Sequence, residues 1–374
     1  MKRTNFLRIL AVLIISLISV SLKASDGKVK LAYDVDFETR FDNREFYKSA
    51  FSKSMTIFGA RLNPSIGVYV PQNDKSLEHH LMIGADVMKD FGSSEGTLIR
   101  DFTIYYRMNK TLQDAGLELY AGIFPRRASE GHYSEAFFSD SLKFYDNNLE
   151  GILLKLRRPS GYWEVGCDWM GQFGEVTKER FMIFSSGVRN ITSFFDVGFS
   201  GYMYHFAGSQ KARGVVDNIL LNPYLKFDFA RNAGFQELSV RVGWLQAMQH
   251  DRVFVGHYVF PGGGEVDLGI MKWNVGIQNR LYCGAGLMPY YNNDDASGDK
   301  YGSRLYQGDP FYRMHDDGTS GISTYDRFDV FYEPHVGKYL SVRIAARFHF
   351  HGARYSGCQQ IVALRFNMNN IFSM

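Results

Sequence analysis

Past residue 24 the chain contains no apolar run approaching the ~20 residues that a membrane-spanning helix needs. Cysteine is scarce too: Cys167, Cys283 and Cys358 are three, an odd number, and widely spaced. That argues against a disulfide framework or a metal site. Cys167 and Cys358 fall on apolar faces of predicted strands and read as small hydrophobes, while one disulfide stays open in an oxidising exported compartment. No charge of one sign prevails. The chain carries 42 Lys and Arg against 39 Asp and Glu. The first 24 residues hold Lys2, Arg3, Arg8 and Lys23 and no acid, so the remainder is near −1. A global basic surface suited to nucleic acid is therefore missing. There is no repeat of solenoid or propeller type.

What the chain does have begins at its N-terminus. A basic start, an apolar run from Ile9 to Val20 and small residues from Ser21 to Ala24 follow the order of a secretory signal peptide, with cleavage expected after Ala24. An uncleaved N-terminal anchor is the other reading. Aromatics make up 16% of the chain, with 23 Tyr and 31 Phe. Yet the mean hydropathy is −0.22. Many rings with low overall hydrophobicity suit a transmembrane β-barrel, where half of each strand is polar and aromatic girdles mark both interfaces.

Period-two alternation runs through the chain. Val29 to Glu38 alternates Val29, Leu31, Tyr33, Val35 and Phe37 with polar partners. In Tyr162 to Phe173, Trp163, Val165, Cys167 and Trp169 oppose Glu164, Gly166 and Asp168. Leu340 to His351 sets Leu340, Val342, Ile344, Ala346, Phe348 and Phe350 against Arg343, Arg347, His349 and His351. Connectors alternate between short (71–78, 157–161, 231–234, 334–338) and long (40–54, 125–147, 248–263, 284–321). An exported β-sandwich would alternate as well. Charged faces on long strands, the aromatic load and the leader favour lipid, where only a closed barrel satisfies every backbone group with strands. The expected fold is all-β: a transmembrane antiparallel up-and-down barrel filling residues 25–374. The count is sixteen strands if Gly264 to Cys283 is two strands turning near Lys272–Asn274, with fourteen or eighteen as alternatives. Pro223 cannot donate to a ladder, so a bulge or strand boundary is expected there.

Together with the run GIFPRRASEGHYSEAFFSDSLKFYDNNLEGILL, these features resemble the porin-like outer-membrane barrels of Gram-negative bacteria and, more loosely, phosphate-selective-porin-like proteins. The resemblance implies an outer-membrane channel for passive diffusion of small hydrophilic solutes. It also implies insertion by the barrel-assembly machinery, and a homotrimer among the partners.

The sharpest functional candidate is the segment 125–147, which carries Arg126, Arg127, Glu130, Glu135, Asp140 and Asp146, with Tyr133, Phe137 and Phe138 to pin it to a wall. Folded into the lumen it would form a constriction whose charges sort solutes; the other reading is a loop packed on the rim. The second candidate is the basic face Arg343, Arg347, His349 and His351, with Arg365 on the next strand. It could favour anions, but Asp34, Asp36 and Glu38 on the first strand, closing beside the last, are expected to pair with these arginines instead. The segment 284–321 is expected to be a long external loop. No cofactor or metal is implied: His349 and His351 lack a third ligand, and the Asn293 to Arg304 stretch lacks the closing Glu of a calcium loop. His205 with Ser200, or His132 with Ser134 and Asp140, could be drawn as hydrolytic sets, but neither forms a motif, and no enzyme is expected. A surface scaffold or a rim-located hydrolase is the alternative function.

Overall fold

The computed structural model describes residues 29–47, 49, 51–72, 76–94, 98–313 and 321–372. The expected signal peptide, residues 1–24, lies outside them. The strands are β1 (Lys30–Phe46), β2 (Met55–Pro71), β3 (Leu77–Asp90), β4 (Ile99–Thr111), β5 (Gly116–Pro125) and β6 (Asn148–Arg158). They continue with β7 (Gly161–Gly171), β8 (Arg180–Asn190), β9 (Phe195–Ala207), β10 (Val215–Asp228), β11 (Glu237–Asp251) and β12 (Gly262–Lys272). The last are β13 (Val275–Gly284), β14 (Ser323–Tyr332), β15 (His335–Val336), β16 (Leu340–His351) and β17 (Arg354–Phe372). Two short helices sit in connections, α1 (Asp140–Tyr145) and α2 (Ala230–Ala233).

Each strand pairs antiparallel with its neighbour, and β1 pairs with β17 from Leu31↔Phe372 to Phe46↔Gly357. The sheet is thus closed. β15 is a two-residue bridge along β16, which also pairs directly with β14, so sixteen strands make the wall. Closure leaves no strand edge unpaired, as a lipid surround demands. Among the described residues no helix is long and apolar enough to cross a membrane. Both ends of the wall, β1 and β17, meet at the short-turn mouth, the periplasmic end in outer-membrane barrels.

The alternation resolves as two environments. On β7, Trp163 and Trp169 are exposed outward, whereas Glu164 and Asp168 are buried inward. On β16, Ile344 is outward, and Arg347, His349 and His351 are buried inward. The three cysteines are unpaired. The ambiguous stretch is two strands: Trp273 and Asn274 hold φ of 55° and 65°, the pair of positive values a two-residue hairpin turn requires. Pro223 lies within β10 rather than at its end, but the β10–β11 pairing breaks off between Leu221↔Gln246 and Tyr224↔Gly243. The expected long connector 40–54 is a correction. β1 continues to Phe46, because Arg40, Asp42 and Arg44 face the lumen and pair there.

The lumen is occupied. The β5–β6 loop (126–147) and the described first part of the β13–β14 loop (285–313) both enter it. Ala136, Phe137 and Phe138 from the first, and Leu287, Tyr301, Leu305, Tyr306 and Phe311 from the second, join Tyr202, Phe206, Val216, Leu220 and Leu245 of the wall in one buried cluster. The segment 284–321 is therefore not simply external.

Candidate functional site

Two backbone hydrogen bonds join the inserted loops: Asp309 N donates to Glu135 O (2.7 Å), and Ser139 N to Gln307 O (3.0 Å). Gly308 sits at this crossing, where a Cβ would collide with the Ala136 carbonyl. Ser139 then caps α1, its hydroxyl accepting from Leu142 N (3.1 Å).

Five charged residues of the β5–β6 loop reach the wall. Arg126 pairs with Asp146 (3.2 Å) and with Asp168 of β7 (3.3 Å). Arg127 crosses to β1, to Asp34 (2.5 Å) and Asp36 (3.4 Å). Glu130 takes Lys155 (3.0 Å) and Arg157 of β6. Glu135 takes Arg280 (3.0 Å) of β13 and Arg327 of β14. Asp140 takes Arg347 of β16 (3.0 Å) and lies 3.9 Å from Arg40 of β1. Burial alone would raise the Asp140 carboxyl, but Arg347 and Arg40 outweigh it and hold it well below the usual carboxylate range. Glu130 is lowered for the same reason, its burial offset by Arg157 and Lys155. Lys143 of α1 projects into the lumen and has no hydrogen-bonded acceptor among the described residues; enclosure lowers its ammonium from the ordinary value.

The seam expectation needs correction. Arg365 does pair with Glu38 (3.1 Å). Arg343 instead holds Glu333 (2.6 Å), and Arg347 holds Asp329 (3.1 Å) and Asp140. The reason is reach: β17 stands between β16 and β1, so β16 finds nearer acids on its other side, and Asp34 and Asp36 are left to Arg127. His349 pairs with Gln359 (2.9 Å) and Tyr325 (3.0 Å), and its ring stacks on Phe311 at 4.4 Å. His351 pairs with Ser356 (3.2 Å) beneath the ring of Phe51. No group of three metal-ligating side chains occurs among the described residues.

Sequence reasoning passed over the wall residues that receive the loops. Arg40, Lys155, Glu164, Glu265 and Arg327 were visible as charges at inward positions of strands, but their partners lie 27 to 192 residues away in the cases of Lys155–Ala128 and Arg327–Glu135. Glu164 alone accepts from Ser129 Oγ (2.6 Å), Glu130 N (3.0 Å) and Tyr133 Oη (2.9 Å).

Three cavities follow the β1 side of the lumen. The outer, 440 Å³, is lined by Arg40, Arg44, Asp140, Asp309, Phe311 and Arg347 among others. The middle, 380 Å³, is lined by Asp36, Glu38, Arg126, Arg127, Lys143 and Arg365. The inner, 500 Å³, is lined by Asp34, His80, Arg107, Glu118, Arg127 and Glu130. Middle and inner cavities share Arg127 and Glu130. Outer and middle meet at α1, which turns Asp140 and Ser141 to one and Lys143 to the other.

The hydrolytic sets are not assembled. Ser200 is buried inward, whereas His205 sits on the outer face against Phe181 (4.9 Å). Ser134 donates to Glu265 (2.7 Å), and Asp140 is held by arginines.

Comparison with solved structures gives barrels of the same kind. The Pseudomonas aeruginosa OpdO structure matches with a TM-score of 0.50 at 8% identity, covering 91% of this chain and 97% of that one. The Pseudomonas aeruginosa outer membrane protein OprD matches with a TM-score of 0.47 at 9% identity, covering 93% and 96%. The fold is that of a porin-like outer-membrane β-barrel. Among curated proteins none matches. The family described as lipid A 3'-O-deacylase-type matches residues 23–252, which takes in β1 to β11 and the whole β5–β6 loop. That is more than half of the sequence, and the chain belongs to the lipid A 3'-O-deacylase-type family.

Proposed function

We propose that the protein is a narrow outer-membrane channel for small hydrophilic solutes, with the β5–β6 loop as its constriction. The observation that carries this reading is the run of three charged cavities along β1, β16 and β17, interrupted at α1. In this reading Arg126, Arg127, Glu130, Glu135 and Asp140 are constriction residues. Arg343, Arg347, His349, His351, Arg365, Asp34, Asp36 and Glu38 belong to the wall that faces or braces it. Charges held in a narrow, partly dehydrated passage act more strongly than in bulk water and sort what passes. The neighbouring charges Arg127 with Asp36 and Arg365 with Glu38 are mutually paired, whereas Lys143 has no hydrogen-bonded acceptor among the described residues. Export through a cleaved leader and insertion by the barrel-assembly machinery belong to the same reading.

A second reading, ester hydrolysis at the external rim, is favoured by the family and by the His351–Ser356 pair. Against it, Ser356 is 1% exposed, and both residues lie beyond the matched stretch 23–252. Planar-bilayer recording separates the two: the channel reading requires discrete conductance steps, and the hydrolase reading requires acyl release that His351→Ala abolishes.

A further inference from the structure

The inner cavity, 500 Å³, lies at the short-turn mouth: His80 is three residues past the start of β3, Glu118 two past the start of β5, and Arg157 one before the end of β6. Its volume falls within the range of about 300–1,000 Å³ usual for small-molecule sites. Three cations and three carboxylates line it, Arg107, Arg127 and Arg157 with Asp34, Glu118 and Glu130. Each cation is spent on a carboxylate of the same lining. Arg107 holds Glu118 (2.6 Å), Arg157 holds Glu118 (3.0 Å) and Glu130, and Arg127 holds Asp34 (2.5 Å). The lining therefore carries no unmatched charge, unlike the middle cavity with its Lys143.

Two polar atoms of this lining lack a partner among the described residues. His80 is 7% exposed, its ring lies against Tyr69 at 4.9 Å, and its Nε2 makes no hydrogen bond. Asp34 gives Oδ2 to Arg127, while its Oδ1 is buried without a donor. Buried polar groups left so are costly, and something that enters the cavity has to satisfy them. An anion cannot donate to the Asp34 carboxylate and finds no unmatched guanidinium. A cation meets Arg107, Arg127 and Arg157, whose carboxylates are already engaged. A hydroxyl both donates and accepts, so it suits Asp34 Oδ1 and either tautomer of His80. Ala32, Met82 and Tyr105 add an apolar patch to the same lining, which fits the C–H face of a sugar ring.

We propose that the inner cavity is a binding subsite for a neutral, hydroxyl-rich solute of monosaccharide size, with His80 and Asp34 taking its hydroxyls. The Arg107–Glu118 and Arg157–Glu130 pairs supply further donors and acceptors around it. This inference rests on the channel reading and names the class of solute that the channel passes.

The test uses the full-length protein in a detergent without sugar headgroups. Isothermal titration with glucose, gluconate and glucosamine compares one carbon skeleton in neutral, anionic and cationic form. Saturable glucose binding is expected, with gluconate and glucosamine at least tenfold weaker. His80→Ala should weaken glucose at least fivefold, and His80→Gln, which keeps a hydrogen-bonding tip, should recover most of the loss. Asp34→Asn removes one carboxylate from the lining while Arg127 keeps Asp36 (3.4 Å), and it should narrow the gap between glucose and gluconate. Folded-barrel gel migration checks each variant, and the three-ligand comparison on the wild-type protein needs no variant at all. Absence of saturable glucose binding, gluconate or glucosamine binding as tightly as glucose, or indifference to His80→Ala overturns the proposal. Planar-bilayer currents keep it apart from the channel reading: conductance without glucose binding overturns the subsite alone, whereas glucose binding without conductance overturns the channel and leaves the binding site.

Discussion

The two loops that fill the lumen are held by different chemistry. The β5–β6 loop reaches the wall through charge: Arg127 to Asp34, Glu130 to Lys155, Glu135 to Arg280 and Arg327, Asp140 to Arg347. The β13–β14 loop reaches it through rings. Phe311 stacks across the adjacent rings of Tyr325 (4.8 Å) and His349 (4.4 Å), Tyr301 packs edge-on to Phe206 (5.5 Å), and Leu287 and Leu305 are fully buried. Its polar contacts to the wall are phenols, Tyr301 to Asp251 (2.9 Å) and Tyr312 to Glu265 (2.8 Å), and the Leu305 carbonyl accepting from Asn218 (2.9 Å); its buried ion pair, Asp295 with Lys178, is made to the β7–β8 connection rather than to a strand. The walls match the loops. Toward β9–β11 the inward residues Tyr202, Phe206, Val216, Leu220 and Leu245 are apolar or aromatic, whereas β1, β14 and β16 carry Arg40, Asp42, Arg327, Asp329 and Arg347. One side of the lumen is thus a dry core and the other a charged passage. The difference teaches that a passage can persist only beside the loop whose contacts are polar enough to tolerate water.

Removing one partner from a buried charge cluster should have the largest effect. Arg327→Ala takes one of two guanidinia from each of the buried acids Glu135 and Asp329, leaving them Arg280 and Arg347, and is expected to cost about 3–5 kcal/mol in denaturant unfolding from lipid vesicles. A loss below about 1 kcal/mol would mean that charge does not hold the β5–β6 loop. Phe311→Ala should cost about 3 kcal/mol or slightly more, through the vacated ring slot. That loss should be the same at low and high salt, whereas the partly exposed pairs of the other loop weaken as the screening length falls to about 3 Å at 1 M. Equal salt dependence in both loops would erase the distinction.

Acid should also act in opposite directions on the two loops. A carboxyl whose folded pKa is lowered stabilises the fold above its unfolded pKa, and that contribution is lost as pH falls through the folded value. Asp140 and Glu130 are both lowered, so the β5–β6 loop should loosen below about pH 4, seen as rising conductance. In the β13–β14 loop burial instead raises the Asp309 carboxyl, whose contribution grows as pH falls, and pushes the Tyr301, Tyr306 and Tyr312 phenols up, keeping them neutral. The smallest effect is a control outside the lumen. Lys211→Ala removes an ion pair with Glu175 whose side chains are 64% and 68% exposed, and unfolding should shift by well under about 1 kcal/mol.

The barrel was legible because lipid imposes a strict rule on outward positions, and β7 and β16 obey it residue by residue. The β12–β13 turn was legible in principle as well: outward residues are even-numbered through Ile270 and odd-numbered from Val275, the parity change a two-residue turn produces. The end of β1 was hidden, because Asn43 and Glu45 are polar on its outward face and made the strand read as a loop. The filling of the lumen was hidden for a related reason. Leu220 falls on the inward face with Asn218 and Asn222, and an apolar residue there makes sense only once the β13–β14 loop is known to cover it. The charges of the 125–147 segment were read from the sequence, but their partners come from six different strands, and no local spacing encodes such pairings.

The most direct measurement is single-channel conductance in planar bilayers of the full-length protein and of a variant in which Ala128–Asp140 is replaced by a short glycine-serine linker. The account predicts a small wild-type conductance and a several-fold larger one without the loop, because the passage along β1 is narrowed at α1. Equal conductance in the two proteins, or none in either, would contradict it.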